Sequence, residues 1–255
     1  MDAMGTVVRW RRSRVVALVV IGTVLAAVAG SLIWALTPLG PGDAALAALE
    51  SGDGVTVSRT DDGWAFMPVG APATGLVFYP GGRVDARSYA PFARELARAG
   101  HAVVIVEVPL SLAVFEVDAA EDVFGAPEVA SVERWAVGGH SLGGAMAATY
   151  AADARDQVDG LLLLAAYATS GADLRDSGLA VADVTGSLDG VLDRNNWEAG
   201  RALLPADAVY VSIEGGNHAQ FGDYGPQPGD NAASVGPDEQ LRQAVETADT
   251  LLDRM

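Results

Sequence analysis

Three residues far apart in the chain could together cleave an acyl bond: Ser141, Asp189 and His218. A serine hydroxyl attacks a carbonyl effectively only when a base removes its proton, and the base needs a third group to orient it. Ser141 stands in Gly139-His140-Ser141-Leu142-Gly143, which fits the pattern G-x-S-x-G. That pattern puts a serine on a sharp turn from strand into helix, where glycines on either side let the two elements approach closely. The serine then sits at a helix N-terminus, where the dipole favours developing negative charge.

The chain has three histidines to supply the base. His140 adjoins the serine, so its side chain should point away from it. His101 opens a strand and reads as a partly exposed structural residue. His218, in IEGGNHAQFG, lies on a loop just past the last expected strand and is the expected base. Asp189, in TGSLDG, follows the penultimate strand and is expected to hold the imidazole. Asp193, already turning into a helix, and Glu214, ahead of the glycines before His218, are its competitors. The oxyanion would be met by the N–H of Leu142 and by a second N–H from PGGRVD, expected from Gly82 with Arg83 as the alternative. Tyr167, Trp197, Phe221 and Tyr224 could line the site or serve as ordinary packing. Glu107 is a weaker pocket candidate, with a salt bridge to a nearby arginine as its plainer role. There is no H-E-x-x-H and no paired histidine spacing, so neither a metal nor a cofactor is expected.

Such a constellation needs a rigid frame. Short β-rich runs alternate with helical patterns, which predicts an α/β fold with a mostly parallel sheet and helices on both faces. The strand segments are WAFMPV, GLVFYP, AVVIVEV, RWAVGGH, GLLLLAA, AVADVTGS and AVYVSIEGG. SYAPFARELARAG reads as a helix capped by Ser88 and stopped by Gly100, and a helix from Asn195 ends before Pro205. The last helix begins near Asp238, with Leu241, Val245, Ala248 and Leu252 on one face. Only a short segment separates Ala166 from Asp189, so no lid domain fits and the site should be open.

Composition narrows the partners. The 255 residues contain no cysteine, which excludes disulfides, zinc–thiolate sites and a cysteine nucleophile. All 16 basic residues are arginine, and from Thr37 onward 12 Arg face 32 Asp and Glu, a balance of −20. That surface repels phosphate backbones, so nucleic acid is not an expected partner. The acid excess resembles high-salt adaptation; a GC-rich genome would account for the arginines alone.

Residues 15–36 carry no charge, enough as a helix to cross a hydrocarbon core of about 30 Å. Arg9, Arg11, Arg12 and Arg14 precede the run, and Trp10 and Trp34 flank it. The expectation is a single-pass transmembrane anchor with residues 1–14 cytoplasmic, a linker at 37–58 and an extracytoplasmic catalytic domain at 59–255. Ala27-Val28-Ala29 leaves open a cleaved signal peptide and a secreted product.

The segments FYPGGRVDARSYAPFARELARAGHAVVIVEVPL, GGHSLGG, GSLDG and GGNHAQFGDYGPQPGD together resemble the small lidless α/β-hydrolases of the dienelactone-hydrolase-like, fold-5 group. The resemblance runs from about Gly75 to the C-terminus. It implies an α/β-hydrolase fold and a Ser-Asp-His hydrolase, with the triad on Ser141, Asp189 and His218. Dienelactone hydrolases themselves use cysteine, so their substrate does not carry over. The expected reaction is hydrolysis of small esters through an acyl-serine. A non-catalytic tethered binding module, an acyltransferase and a cofactor-free haloperoxidase are the alternatives on the same fold.

Overall fold

The computed structural model describes residue 16, residues 18–30 and residues 37–255. The chain divides into two units, Met1–Pro38 and Leu39–Met255. In the first unit, residues 16 and 18–30 are helical, with Leu18, Val19, Val20, Ile21 and Leu25 exposed. The rest of the expected span, 15, 17 and 31–36, lies outside the described residues, as do the four preceding arginines. Among the described residues no helix is long and apolar enough to cross a membrane.

The second unit is built on one eight-stranded sheet. In chain order its strands are β1 (Val55–Arg59), β2 (Gly63–Pro68), β3 (Thr74–Tyr79), β4 (Ala102–Val106), β5 (Arg134–His140), β6 (Gly160–Leu164), β7 (Ala180–Gly186) and β8 (Val209–Ile213). Their spatial order is β1-β2-β4-β3-β5-β6-β7-β8. The β1–β2 and β2–β4 pairings are antiparallel and all others parallel. β3, β4 and β6 are buried along their whole length, which is why they read as unbroken apolar runs rather than alternating ones.

Six α-helices follow the linker prolines: α1 (Asp43–Ala48), α2 (Ala90–Ala99), α3 (Ala119–Phe124), α4 (Leu142–Asp153), α5 (Arg194–Arg201) and α6 (Pro237–Asp253). On one sheet face Phe92 and Leu96 of α2 pack with Ala248, Leu251 and Leu252 of α6 over Phe66, Leu76 and Phe78. On the other, Ala147, Ala148 and Ala151 of α4 and Val123 of α3 cover Val77, Val104 and Leu163. Burying a Leu or Phe side chain contributes about 1.5–3 kcal/mol, so the two layers fix the sheet from both sides. From β6 to β7 the chain runs through residues 165–179 without an α-helix, and no lid covers the sheet there.

Two sequence expectations change. Of the expected linker 37–58, residues 39–58 hold α1 and most of β1, and β1 pairs with β2 along Val55–Arg59, so they belong to the folded body rather than to a spacer. Asp85, not Ser88, caps the turn leading into α2: its carboxylate accepts from Arg87 N–H, and Ser88 is buried one turn further on.

Asp183 is a charged group placed inside the β7 layer, 1% exposed. Burial pushes its carboxyl up to about 7, although the Trp197 indole N–H and the Arg201 and Arg194 charges pull the other way. The unfolded carboxyl titrates near 3.8, so between these values the folded chain holds a proton that the unfolded chain lacks. Stability from this group therefore falls as pH rises from about 4 to about 7. Asp183→Asn keeps an acceptor for Trp197 and removes the titration. Denaturant unfolding should show the variant gaining on wild type across that window by on the order of 3–4 kcal/mol at most. Parallel pH curves for the two proteins would refute the assignment.

Candidate active site

β5 ends in His140, and the chain turns sharply through Ser141 into α4. Ser141 has φ 53° and ψ −121°, a backbone state that costs a side-chain-bearing residue about 1–3 kcal/mol. Neighbours hold it there: Ser141 N–H donates to Leu164 O at 2.9 Å, and Ala145 N–H donates to Ser141 O at 3.1 Å. The flanking glycines are required by contact. A Cβ on Gly139 would lie 2.5 Å from Tyr79 O, and one on Gly143 would collide with Tyr79 O and Pro80 O. The crossing of α4 over β3 thus needs bare backbone at both ends of the turn, as the motif spacing anticipated.

His218 follows β8 on a loop and is buried. Its Nδ1 lies 2.9 Å from Asp189 Oδ2. Asp189 accepts two further hydrogen bonds at Oδ1, from Val191 N–H and Leu192 N–H, each 2.8 Å. Burial pushes the Asp189 carboxyl up, but the His218 hydrogen bond and charge and the two backbone donors outweigh it, leaving the pKa lowered. An ionised Asp189 makes Nδ1 the protonated nitrogen of a neutral ring, so Nε2 presents its lone pair. That Nε2 atom is buried and has no hydrogen-bond partner. Ser141 and His218 line the same cleft of about 330 Å³, together with Leu142, Met146, Tyr167 and Leu192.

The loop after β3 offers three consecutive amides. Gly81 N–H donates to Tyr89 Oη at 2.9 Å, and Arg83 N–H donates to Ser111 O at 2.7 Å. Arg83 N–H is therefore engaged, which favours Gly82 as the second oxyanion donor. Gly82 also lies against the turn: a Cβ there would be 3.0 Å from Leu142 Cδ2. Leu142 opens α4, where the first N–H groups have no partner within the helix.

The other candidates separate. Tyr167 and Asp193 line the cleft, while Asp193 also caps α5 by accepting from Asn195 N–H and Asn196 N–H. Glu214 is exposed on a turn. Trp197 donates to Asp183 and stacks under Arg201, away from the cleft lining. Glu107 pairs with Arg59 and accepts from the Trp64 indole beside a second cavity of about 370 Å³. His101 is buried rather than partly exposed, between Thr74 Oγ1 at 2.6 Å and Asp249 Oδ1 at 2.9 Å. With Asp249 and Asp253 it is the one grouping of possible metal ligands among the described residues.

Two features escaped the sequence. His140 and His218 are brought together, their ring centroids 4.4 Å apart, and Phe221 and Tyr224 pack against His140. The His218 loop is also clamped by α6: Asn217 N–H donates to Gln240 Oε1 at 3.0 Å, and Gln240 Nε2 donates to Asn217 O at 2.7 Å. On the other side Ala219 N–H donates to Asp230 Oδ2 at 2.8 Å. The polar residues of NHAQFGDYGPQPGD were the available signal, but not their partners.

Residues 75–242 match the model of the alpha/beta hydrolase family. Comparison with curated proteins gives no match. Among solved structures the fold is similar to a dienelactone hydrolase from Anabaena variabilis, with TM-score 0.60, 18% identity, and coverage of 78% of this chain and 100% of that one. A carboxyl esterase from Tuber melanosporum aligns with TM-score 0.55 and 14% identity over 79% of this chain and 88% of that one. A ferulic acid esterase from Streptomyces cinnamoneus aligns with TM-score 0.57 and 19% identity over 73% and 68%.

Proposed function

The chain belongs to the alpha/beta hydrolase family, and from that footing we propose that it is a serine hydrolase of small, uncharged carboxylic esters. The observation that carries the reading is the Asp189–His218 hydrogen bond, which leaves a bare, buried Nε2 in the cleft that Ser141 lines. In this reading Ser141 Oγ attacks the acyl carbon while His218 Nε2 takes the hydroxyl proton. The tetrahedral oxyanion is received by the N–H groups of Gly82 and Leu142. Collapse breaks the C–O bond, and the alcohol leaves with the proton returned by His218. Water then repeats the sequence on the acyl-Ser141 ester, releasing the acid and the free serine.

Substrate class follows from the lining. Leu142, Ala145, Met146, Ala165 and Leu192 make the cleft largely apolar, and its ionisable members are His218, Asp193 and Tyr167. With no arginine in that wall, a carboxylate on the acyl chain would meet Asp193 without a counter-charge. A panel of p-nitrophenyl esters tests this. Butyrate should be turned over at least about tenfold better in kcat/KM than the hemisuccinate, a discrimination of about 1.4 kcal/mol. Equal or better use of the hemisuccinate would overturn the uncharged-acyl assignment.

The same proposal places the enzyme on a membrane through residues 15–36. It is supported by the absence of charge in that segment, by the arginines before it, and by the exposed apolar side chains of its described helix. The full chain should stay in the membrane pellet after alkaline carbonate washing, while a chain starting at Leu39 should be released. A soluble product beginning near Gly30 would instead establish a cleaved signal peptide.

A further inference from the structure

We propose that His140, paired with Tyr89, is a positioning residue that ties the imidazole of His218 to the oxyanion loop. The inference rests on the serine-hydrolase reading above and assigns a role to a side chain which that reading leaves idle. His140 is the last residue of β5 and is fully buried, while Ser141, in the turn that follows, lines the cleft. An imidazole in that position is costly unless its nitrogens are used, and a leucine would fill the same space more cheaply.

Of the two His140 nitrogens Nδ1 has a hydrogen-bond partner, while Nε2 is buried without one. Tyr89 Oη accepts from Gly81 N–H at 2.9 Å and lies 2.8 Å from His140 Nδ1. While accepting the amide proton, Tyr89 Oη still has its own proton to give, and in the proposed pairing this proton goes to Nδ1, which leaves the His140 proton on Nε2. Burial, and then the neighbouring His218, hold the His140 pKa well below 6.5, with the His218 backbone opposing them. His140 is therefore a neutral ring, tilted 49° against the His218 ring.

The titratable groups around His140 are Tyr89, Tyr224 and His218, with Asp189 on the far side of His218. Burial raises both tyrosine hydroxyls far above neutrality, so none of the phenols carries charge at working pH. His218 can then become an imidazolium without facing a cation on its inner side. Gly81 completes the device. A Cβ there would sit 2.7 Å from His140 Nδ1 and 2.8 Å from Tyr89 Oη, so the loop must be bare where it meets the pair. One hydroxyl thus fixes the amide next to Gly82 and the ring beneath His218.

The test combines kinetics, pH profile and NMR on the enzyme assayed with p-nitrophenyl butyrate. Tyr89→Phe removes one oxygen and leaves the packing. It should lower kcat about tenfold or more with KM changed less than about twofold, as expected when a lost interaction acts only in the transition state. His140→Leu should lower kcat further and move the acid limb of the kcat/KM profile to lower pH, because an apolar neighbour disfavours the His218 cation. His140→Gln, which restores an acceptor for Tyr89, should recover part of kcat. In the wild type, ¹⁵N shifts should show His140 protonated at Nε2 and bare at Nδ1. Wild-type kcat and an unmoved acid limb in Tyr89→Phe and His140→Leu would overturn the proposal, as would the opposite tautomer. If the wild type fails to react with a fluorophosphonate, the serine-hydrolase reading itself has failed, a result separate from any of these.

Discussion

A Ser141→Ala chain is expected to fold like the wild type and to lose at least about 10³-fold in kcat on p-nitrophenyl butyrate, with no fluorophosphonate labelling. The fold should tolerate the change because the restraints on this position come from backbone groups, Leu164 O and Ala145 N–H, which alanine keeps. Alanine also carries the same positive-φ strain as serine, so the melting temperature should hardly move. On the proposed mechanism, what disappears is the atom that forms the acyl bond. Catalysis left in the variant would come from the oxyanion donors and binding alone. Undiminished turnover would remove Ser141 from the mechanism while leaving the fold assignment untouched.

Asp189→Asn should cost about 10⁴-fold in kcat, the scale seen when a triad carboxylate is replaced by its amide. Asparagine Oδ1 can still accept from Val191 and Leu192, so the loop should keep its shape. The amide NH₂ then faces His218 Nδ1 and makes that nitrogen an acceptor, which moves the ring proton to Nε2 and blocks the base. A stability effect accompanies the loss. The folded carboxyl titrates below its unfolded value, so its contribution is present above the unfolded pKa and disappears as pH falls through the folded one. The variant should therefore be less stable than wild type at neutral pH and match it in strong acid. Wild-type rates in Asp189→Asn would point to a different orienting group, and Asp193 is the next carboxylate on the cleft.

Legibility in the sequence followed the range of the interactions. The turn at Ser141 could be read because its glycines answer to contacts with adjacent strands, and those contacts recur wherever a serine is held this way. Asp189 and His218 could be read from chain order, since loops at the C-terminal ends of β7 and β8 must converge on the end of β5. The reason to prefer Gly82 over Arg83 could not, because it depends on Ser111 O, whose own residue adopts φ 53° with nothing in its type to announce it. The same holds for His140. Its partners Tyr89, His218 and Tyr224 are distant in sequence, and only the folded sheet brings them around one ring. β1 escaped because VTVSR is short, half-exposed and set among glycines and acids, so its pairing with β2 defines it rather than its composition.

The Gln240 clamp on Asn217 sets an order of events during synthesis. α6 follows every strand of the sheet in the chain, so Ser141, Asp189 and the loop after β3 are all synthesised before the residue that fastens the His218 loop. The His218 loop is therefore the last part of the candidate site to be fastened, when α6 docks.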